Sequence, residues 1–541
     1  MRLLSELEAI QSEAGALSDE ALQAVATRRG VPLYQLEGLR SFYPVFREVA
    51  GAAHRLQICR DGPCRMQGEA KAKALAQGLD DDSRIDVEYV SCLGQCDCAP
   101  AVAFDDEQFG ALPEANDITA LIEQNGVLLH RPKAGLSAPL PTDPYPSSAT
   151  HYATSRTWLE RPAEQVIDAL EQSGLQGLGG AAFPTARKWA FTRAAEGGPR
   201  SVICNADESE PGTFKDRLLL EQAPHLIIEG MLMGAAVVNA DTGIIYLRHE
   251  YESARRALKT ALEHARAQGV LGADARGPGL AFDIELFISP GGYILGEETA
   301  LLEALEDRRG EPRHKPPFPV TAGLNGGPTL INNVETLAAV TTILAHGPQW
   351  WQDQGRGDYA GLKYFSVSGD VAQPQVVCLP WGSPVADAID ACGGMADERD
   401  LLAFSPGGAS TPFLPATAVD TPMAFETLRE AGSGLGTGAL FVVGTGRNLA
   451  DVVITQARFF RNESCGKCVP CRSGSTKGVA MAPDALQKGA SDIAEPLNAL
   501  HQTLMRTSIC GLGQVALLPI VDALKTFPDE PSLQALQKES P

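Results

Sequence analysis

Eight of the twelve cysteines fall into two sets with the spacing of metal ligands. Near the end of the chain, Cys465, Cys468 and Cys471 form C-x2-C-x2-C, and Cys510 offers a fourth thiol from a later segment. Three closely spaced thiolates can wrap one side of a compact cage while a distant fourth closes it, as a [4Fe-4S] cluster requires. Zinc, the alternative, is usually held by two pairs. Gly466, Gly511 and Gly513 fit such a site, because sulfur ligation brings the backbone close to the metal. Near the front, Cys59 and Cys64 give C-x4-C, and Cys92 and Cys96 give C-x3-C. Two pairs from two loops suit a [2Fe-2S] cluster, one pair to each iron. A thioredoxin-like domain that keeps its thiols without a cluster, or a zinc site, fits the same spacing. Cys98 reads as a buried bystander, and Cys204, Cys378 and Cys392 form no comparable set.

A second group of residues points to nucleotide or flavin chemistry. Gly177-Leu178-Gly179-Gly180-Ala181-Ala182 matches G-x-G-x-x-G/A, but a Rossmann loop follows a strand, and here Val166, Ile167 and Leu170 predict a helix before it. The ordinary Rossmann reading is therefore rejected. What survives is a run of glycines ahead of a helix at Thr185 to Ala190, able to turn backbone N–H groups toward a phosphate with Lys188 nearby. A turn between two packed helices is the bland alternative. Asp207, Glu208 and Glu210 follow a predicted strand at Ser201 to Cys204, where carboxylates can accept from ribose hydroxyls or a flavin ring, or simply form a solvated acidic turn. Tyr293, Gly296, Glu297 and Glu298 open a helix, where the acids could merely complement its dipole. Phe318 stands on the stiff loop Lys315-Pro316-Pro317-Phe318-Pro319, placed for ring stacking or for packing.

The elements that must position these residues alternate. A strand at Ile85 to Val90 and a short amphipathic helix at Ile118 to Gln124 suffice for a small α/β domain. The Pro-rich stretch Arg131 to Thr150 resists packing and marks a linker. Strands at Ile244 to Leu247 and Ile284 to Ile288, separated by a helix at Ser253 to Gln268, argue a mixed α/β domain to about residue 345. Lys363 to Val367, Val376 to Leu379 and helical Pro384 to Ala391 predict a small insert of β-grasp type, and beyond Asn448 the pattern is helical.

The chain has 541 residues, too many for one ordinary core, and 45 Lys+Arg against 67 Asp+Glu give a net charge of −22. That sign disfavours a nucleic-acid partner. No uncharged apolar run reaches membrane-spanning length, since Leu226 to Val238 already contains Glu229, so direct membrane insertion is not expected. The N-terminal segment shows no secretory signal, and a cytoplasmic location is expected.

Taken together, GLGGAAFPTARKW, NADESEPGTFKD, YILGEETALLEALE, RHKPPFP, INNVET and SCGKCVPCRSGS with SICGLGQ resemble the NADH- and FMN-binding subunit of respiratory complex I and its relatives, over about Trp158 to Pro528. The front domain is similar to the thioredoxin-like [2Fe-2S] subunit that partners it. Both on one chain resemble the diaphorase (beta) subunit of soluble NAD-dependent formate dehydrogenases, and less closely that of NAD-reducing hydrogenases. The run RRGEPRHKPPFP and Leu178 favour the formate branch. The fold class implied is α/β multidomain: a thioredoxin-like [2Fe-2S] domain over 1–130, a Pro-rich linker over 131–157, a Rossmann-like FMN/NADH domain over 158–345, a β-grasp-like insert over 346–440 and a helical [4Fe-4S] domain over 441–541.

By this resemblance FMN would lie on Gly177, Gly179, Gly180 and Lys188, with Asn205, Asp207 and Glu208 around its ring and ribityl chain and Gly296, Glu297, Asn332 and Asn333 completing the pocket. NAD would stack between Phe183, Phe191 and Phe318, helped by Glu210, Glu298 and Lys315. The implied activity is that of an NAD-dependent oxidoreductase in which flavin converts two-electron transfers to single-electron ones, so no catalytic proton-transfer residue is named. The implied partner is a molybdenum- or tungsten-containing formate-oxidising subunit with further iron-sulfur clusters, with room for a small additional subunit. Ala182 and Ala186 stand where the family usually has glycine; if either needs positive φ, a methyl group would strain the loop. Those alanines also favour a reading of another class, a non-catalytic iron-sulfur electron-transfer module with a decayed flavin site.

Overall fold

The computed structural model describes residues 2–535 apart from 106, 110–111, 124–135, 137–138 and 488–493. The front sheet contains β1 (His54–Cys59), β2 (Ile85–Val90), β3 (Val102–Phe104) and β4 (Glu107–Gln108) in the order β2-β1-β3-β4. β1 and β2 run parallel, with the helix Gly62–Leu79 between them in sequence, while β3 is antiparallel to β1. Leu56, Ile58, Leu75, Leu79 and Phe104 form its core. The three helices before this sheet, Leu3–Ala14, Asp19–Arg29 and Leu33–Phe42, place their apolar faces in a different core, shared with Ile203, Ile244 and Phe287.

The second sheet is parallel throughout: β5 (Ser201–Ala206), β6 (Thr242–Leu247), β7 (Asp283–Ile288) and β8 (Thr329–Asn333) lie in the order β7-β6-β5-β8. β5 carries Val202, Ile203 and Cys204 with no exposure, the near-continuous apolar pattern of a strand covered on both faces. One cover is the helix Pro224–Val238, buried almost all round, so its apolar residues need no periodicity. Another is Glu252–Ala267, which buries Ala254, Leu258, Leu262 and Ala265 as one stripe.

The third sheet comprises β9 (Leu362–Gly369), β10 (Gln375–Pro380), β11 (Leu401–Ser405), β12 (Leu414–Pro415) and β13 (Ala439–Gly444) in the order β10-β9-β13-β11-β12. Its first and last strands are parallel neighbours at the centre, and the helix Val385–Ala391 lies between the two hairpins in sequence. That is the β-grasp arrangement expected of the insert. The C-terminal region is helical, with Leu449–Asn462, Val469–Gln487, Ala494–Thr507 and Leu518–Thr526. The multidomain α/β architecture expected from the sequence is therefore present. Among the described residues no helix is long and apolar enough to cross a membrane.

Residues 131–135 and 137–138 of the expected linker lie outside the described residues. Its later part is not a free spacer. Leu140, Tyr145 and Tyr152 are buried, His225 Nε2 lies 3.0 Å from Asp143 Oδ2, and the Thr142 hydroxyl meets Tyr364 OH at 2.6 Å. Proline content argues against regular elements, but it does not prevent an irregular strap from burying aromatic and polar side chains against a neighbouring core.

Candidate functional site

Parallel strands deliver their C-terminal ends to one edge, and both halves of the site are built on this fact. At the edge of the second sheet, Asn205 ends β5's polar tip, Asp207 to Thr213 follow it, and Asn332 and Asn333 end β8. Opposite them lies the glycine loop, closed by Gly177 N–H donating to Phe183 O at 2.9 Å and Thr185 N–H donating to Leu175 O at 2.9 Å. The helix Thr185–Ala194 departs from that loop.

Two adjoining cavities occupy the edge. One, of about 440 Å³, is lined by Gly180, Asp207, Glu208 and Glu210; the other, of about 690 Å³, by Gly177, Lys188, Phe183, Phe191, Phe318, Lys315, Glu298 and Asn332. Gly179, Asn205, Gly296, Glu297 and Asn333 border both, and so does Cys510. Every cofactor-binding residue expected from the sequence thus lies on this pair of cavities. Gly179 has no room for a side chain, because a Cβ there would come within 2.9 Å of Asn333 Cβ. Gly180 has φ +108°, a conformation other residues rarely adopt.

The polar groups divide into those held by the protein and those left over. Glu208 turns its carboxylate inward: it accepts from Asp216 N–H at 2.8 Å, Arg217 N–H at 3.0 Å and Tyr251 OH at 2.8 Å. Burial and the nearby Asp216 charge push it up to about 8. Asn333 caps the helix Val334–His346 through Oδ1 and donates from Nδ2 to Asp216 Oδ2 at 2.6 Å. Asn332 accepts from Trp189 Nε1 at 3.0 Å. Glu297 caps the helix Glu298–Leu305, and Lys315 binds Glu297 at 2.8 Å and Glu298 at 3.0 Å. Both readings of this acidic pair, dipole partner and cavity wall, hold together. Glu210 accepts from Tyr293 OH at 2.5 Å and from Ser410 N–H at 2.7 Å, and burial raises it from its ordinary value.

One carboxylate oxygen is left over, and one lysine is held only by a backbone carbonyl. Asp207 keeps a buried Oδ2 without a partner, and burial raises the acid to about 7 against the pull of Arg248. Lys188 donates to Ile331 O at 3.1 Å, and burial lowers its ammonium. A cradle with glycines where Cβ atoms would collide, a buried lysine and an orphaned carboxylate oxygen fits a ligand with a phosphate and a polar ring edge, as FMN has.

Behind the cavity wall lies a buried ionic network. Lys215 Nζ is 2.7 Å from Asp216 and 2.9 Å from Glu335, and Lys363 Nζ of the insert is 3.0 Å from Glu335. Burial opposes the charge on Glu335, but Lys215 and Lys363 hold it below the usual range.

The front cysteines occupy the corresponding edge of the first sheet. β1 ends at Cys59 and β2 at Val90, so the helix start carrying Cys64 and the segment carrying Cys92 and Cys96 begin side by side. All four are buried; Cys92 and Cys96 sulfurs are 3.6 Å apart, and Cys59 is in contact with Cys64 and Cys92. Backbone N–H groups of Gly94, Ala101 and Gly212 point at the sulfurs of Cys92, Cys64 and Cys96 at 3.3, 3.4 and 3.3 Å. Such donors stabilise thiolate ligands. Gly212 belongs to the acidic loop of the flavin edge, so the two sites touch. Two buried arginines complete the seam: Arg248 donates to the carbonyls of Glu208 and, at 2.6 Å, Cys92, and Arg217 donates to Gly94 O and, at 2.6 Å, to Asp97. Cys98 is half-buried rather than buried, its thiol pushed up to about 12 mainly by desolvation.

The last set gathers on the helical region. Cys471 lies in the first turn of Val469–Gln487, and Cys510 is the N-cap of Gly511–Val515. Gly513 has room for no side chain, since its Cβ would come within 2.5 Å of Ser508 Oγ and 3.0 Å of Cys471 Cβ. The Ser464 hydroxyl sits 3.2 Å from Cys471 Sγ. Among the described residues no three or more His, Cys, Asp or Glu side chains are arranged so as to hold a metal ion.

Reading the sequence missed part of the cavity. Ser410, Gly436 and Thr437 reach it from the insert, and Thr213 meets Thr437 at 2.8 Å between their hydroxyls. The glycine-dense run Gly432 to Gly438 was the available signal, since Gly436 has φ +49° and its Cβ would strike Gly407 O. Arg217 and Arg248 had no comparable mark.

Comparison with known proteins places four family models along the chain. A thioredoxin-like [2Fe-2S] ferredoxin model matches residues 1–125, the Nuo51 FMN-binding domain 170–342, an SLBB domain 364–414 and the NADH-ubiquinone oxidoreductase-F iron-sulfur binding region 451–533. The chain therefore carries FMN-, [2Fe-2S]- and [4Fe-4S]-binding modules. It is 41% identical over 400 residues to the F component of the NADH-quinone oxidoreductase of Escherichia coli (strain K12), covering 72% of this chain and 89% of that protein. It is 38% identical over 386 residues to the F 2 component of the NADH-quinone oxidoreductase of Rhizobium meliloti (strain 1021), covering 71% and 91%. A crystal structure of an NAD+-reducing [NiFe]-hydrogenase in the H2-reduced state matches 99% of this chain and 93% of its own, with TM-score 0.87 and 32% identity.

Proposed function

The chain belongs to the family of the F component of NADH-quinone oxidoreductases, and we propose that it is the diaphorase subunit of an NAD-dependent formate dehydrogenase, exchanging electrons between NAD, FMN and its two clusters in the cytoplasm. The observation that carries the diaphorase reading is the position of Cys510: it is a wall of both cavities, and in this reading it also ligates the C-terminal cluster. Bound across the two adjoining cavities, FMN would supply the exchange between two-electron and one-electron chemistry. The protein's own contribution is placement. Phe183, Phe191 and Phe318 are 41, 53 and 52% exposed around the larger cavity, three rings available to a planar ligand. Glu210, fixed by Tyr293 and Ser410, presents an acceptor-rich edge to a ribose. Lys188 supplies the charge for a phosphate.

The formate assignment is supported by the run Arg308 to Pro319 and by Leu178, whose N–H donates to Thr336 Oγ1 at 2.9 Å. It requires a molybdenum- or tungsten-containing partner with its own iron-sulfur clusters. A second reading, the diaphorase subunit of an NAD-reducing hydrogenase, is favoured by the match over 99% of the chain. The test is purification from the native host under anaerobic conditions, with metal analysis and NADH-driven reduction of a viologen dye. Dye reduction with co-purified Mo or W and formate-dependent NAD reduction is expected. Nickel in their place selects the hydrogenase reading, and a flavin-free chain without dye reduction overturns both in favour of the electron-transfer module.

A further inference from the structure

Away from the flavin edge, the helices Thr185–Ala194 and Pro224–Val238 end beside a crevice of about 570 Å³, of a size that holds a small molecule. Its walls carry four arginines: Arg161, Arg193, Arg200 and Arg276. Its apolar part is made by Trp158, Val166, Met233, Val237 and Leu280, the last 47% exposed. In a chain of net charge −22 such a concentration of guanidinium groups is out of character.

Helix ends account for part of it. Arg193 donates to Val237 O at 2.7 Å and Arg200 to Ala195 O at 2.6 Å, and arginines near carbonyl ends are favourable. Arg276 donates to Asn239 Oδ1 at 2.8 Å and Ala281 O at 3.0 Å. The remainder is not explained this way. Only Glu164, 2.8 Å from Arg193, forms an ion pair with any of the four among the described residues. Asp241 acts on Arg276 only through space. Arg161 rests 4.3 Å over the Trp158 ring, and Arg200 keeps a buried Nε–H with no acceptor. Buried donors of this kind are normally paired.

We propose that this crevice is a binding site for an organic anion, a carboxylate or phosphate carried on an apolar group. The anionic end meets Arg161 and the free Nε–H of Arg200, for which the planar fork of guanidinium is suited. The apolar end covers Met233, Val237 and Leu280. The site is separate from the flavin and nucleotide cavities and does not rest on the function proposed above.

The test is titration of the full chain with octanoate, inorganic phosphate and octanol, followed by tryptophan fluorescence and calorimetry. Octanoate is expected to bind one to one with a fluorescence change absent in Trp158→Phe, and phosphate and octanol to bind at least about tenfold more weakly, since each lacks one half of the recognition. Arg161→Gln, which breaks no hydrogen bond and leaves thermal unfolding unchanged, is expected to weaken octanoate by about tenfold, one lost charge-assisted contact of about 1.4 kcal/mol. Adding Arg200→Gln is expected to weaken it further. Phosphate binding as tightly as octanoate would keep the anion site but remove its apolar half and so overturn the proposal as stated. Equal affinity for octanol, equal affinity in Arg161→Gln, or no saturable binding up to about 10 mM octanoate, which corresponds to only about 2.7 kcal/mol, would each overturn it outright.

Discussion

Replacing the two loop alanines by glycine has opposite consequences at the two positions. Ala182 has φ +55°, in the left-handed region, whereas Ala186 is the second residue of the helix Thr185–Ala194, in its first turn, and is buried. An L-residue in the left-handed region carries about 1–2 kcal/mol of strain. Glycine removes that strain but adds about 0.4–1 kcal/mol of unfolded-state entropy. Ala182→Gly should therefore stabilise the protein by about 0.5–1 kcal/mol, raising the melting point of a domain of this size by about 1–4 °C. Ala186→Gly gains nothing from φ, gives up about 1 kcal/mol of helix propensity and removes a buried methyl group worth roughly another 0.8 kcal/mol. The check is calorimetry of both variants without flavin, then FMN titration by fluorescence quenching. Ala182→Gly should bind FMN at least as tightly as the parent, and Ala186→Gly should be the less stable of the pair. Destabilisation of both to a similar extent would refute the assignment of strain to Ala182. Tighter FMN binding only in Ala186→Gly would show that the loop lacks space at the helix start rather than backbone freedom.

Four further outcomes follow from the site. Glu210→Ala and Phe318→Ala should weaken NADH use in dye reduction while FMN stays bound; loss of flavin in either would mean that the nucleotide half of the cavity is misassigned. Cys468→Ser should abolish the EPR signal of one cluster and lower iron content while NADH still reduces the flavin rapidly in stopped flow. Lys363→Met removes one of two cations from the fully buried Glu335, at a cost of about 3 kcal/mol, the low end for a broken buried pair because Lys215 remains; denaturant unfolding should show it, and a loss below about 1 kcal/mol would mean that Lys363 contributes little to neutralising Glu335. Asp207 is raised by burial from 3.8 to about 7, so its stabilising contribution is complete below pH 4 and is lost as pH climbs from there through 7. Asp207→Asn should flatten that fall in melting temperature of the flavin-free protein, and an unchanged pH profile would show the carboxyl to be ionised when folded.

Much of the site could be read locally. Ligand spacing within each cysteine set, the strands at Ile85–Val90 and Ile244–Leu247, the latter starting two residues earlier in the structure, and the rejection of an ordinary Rossmann loop after the helix Ala163–Ser173 all depend on residues within a few positions of one another. Periodicity, turn chemistry and thiol spacing act at that range, so the amino-acid order alone determines them. It also determined that the insert is a small sheet with a helix.

Other features had no local signature. That Cys59 and Cys64 face Cys92 and Cys96 follows from β1 and β2 being parallel neighbours, a pairing across the intervening helix. Glu208 stood in the same acidic run as Asp207 and Glu210, yet its carboxylate is captured by the N-terminus of the helix Lys215–Gln222 and Tyr251. Ala182 and Ala186 look equivalent in the sequence and differ only because one lies before the helix and one within it. The strap around Tyr145, the reach of Ser410 and Thr437 into the cavity, and Arg248 joining Cys92 to Glu208 are set by which surfaces pack together. Long-range contacts form because many buried areas and hydrogen bonds are satisfied at once, and no single stretch of chain carries that sum.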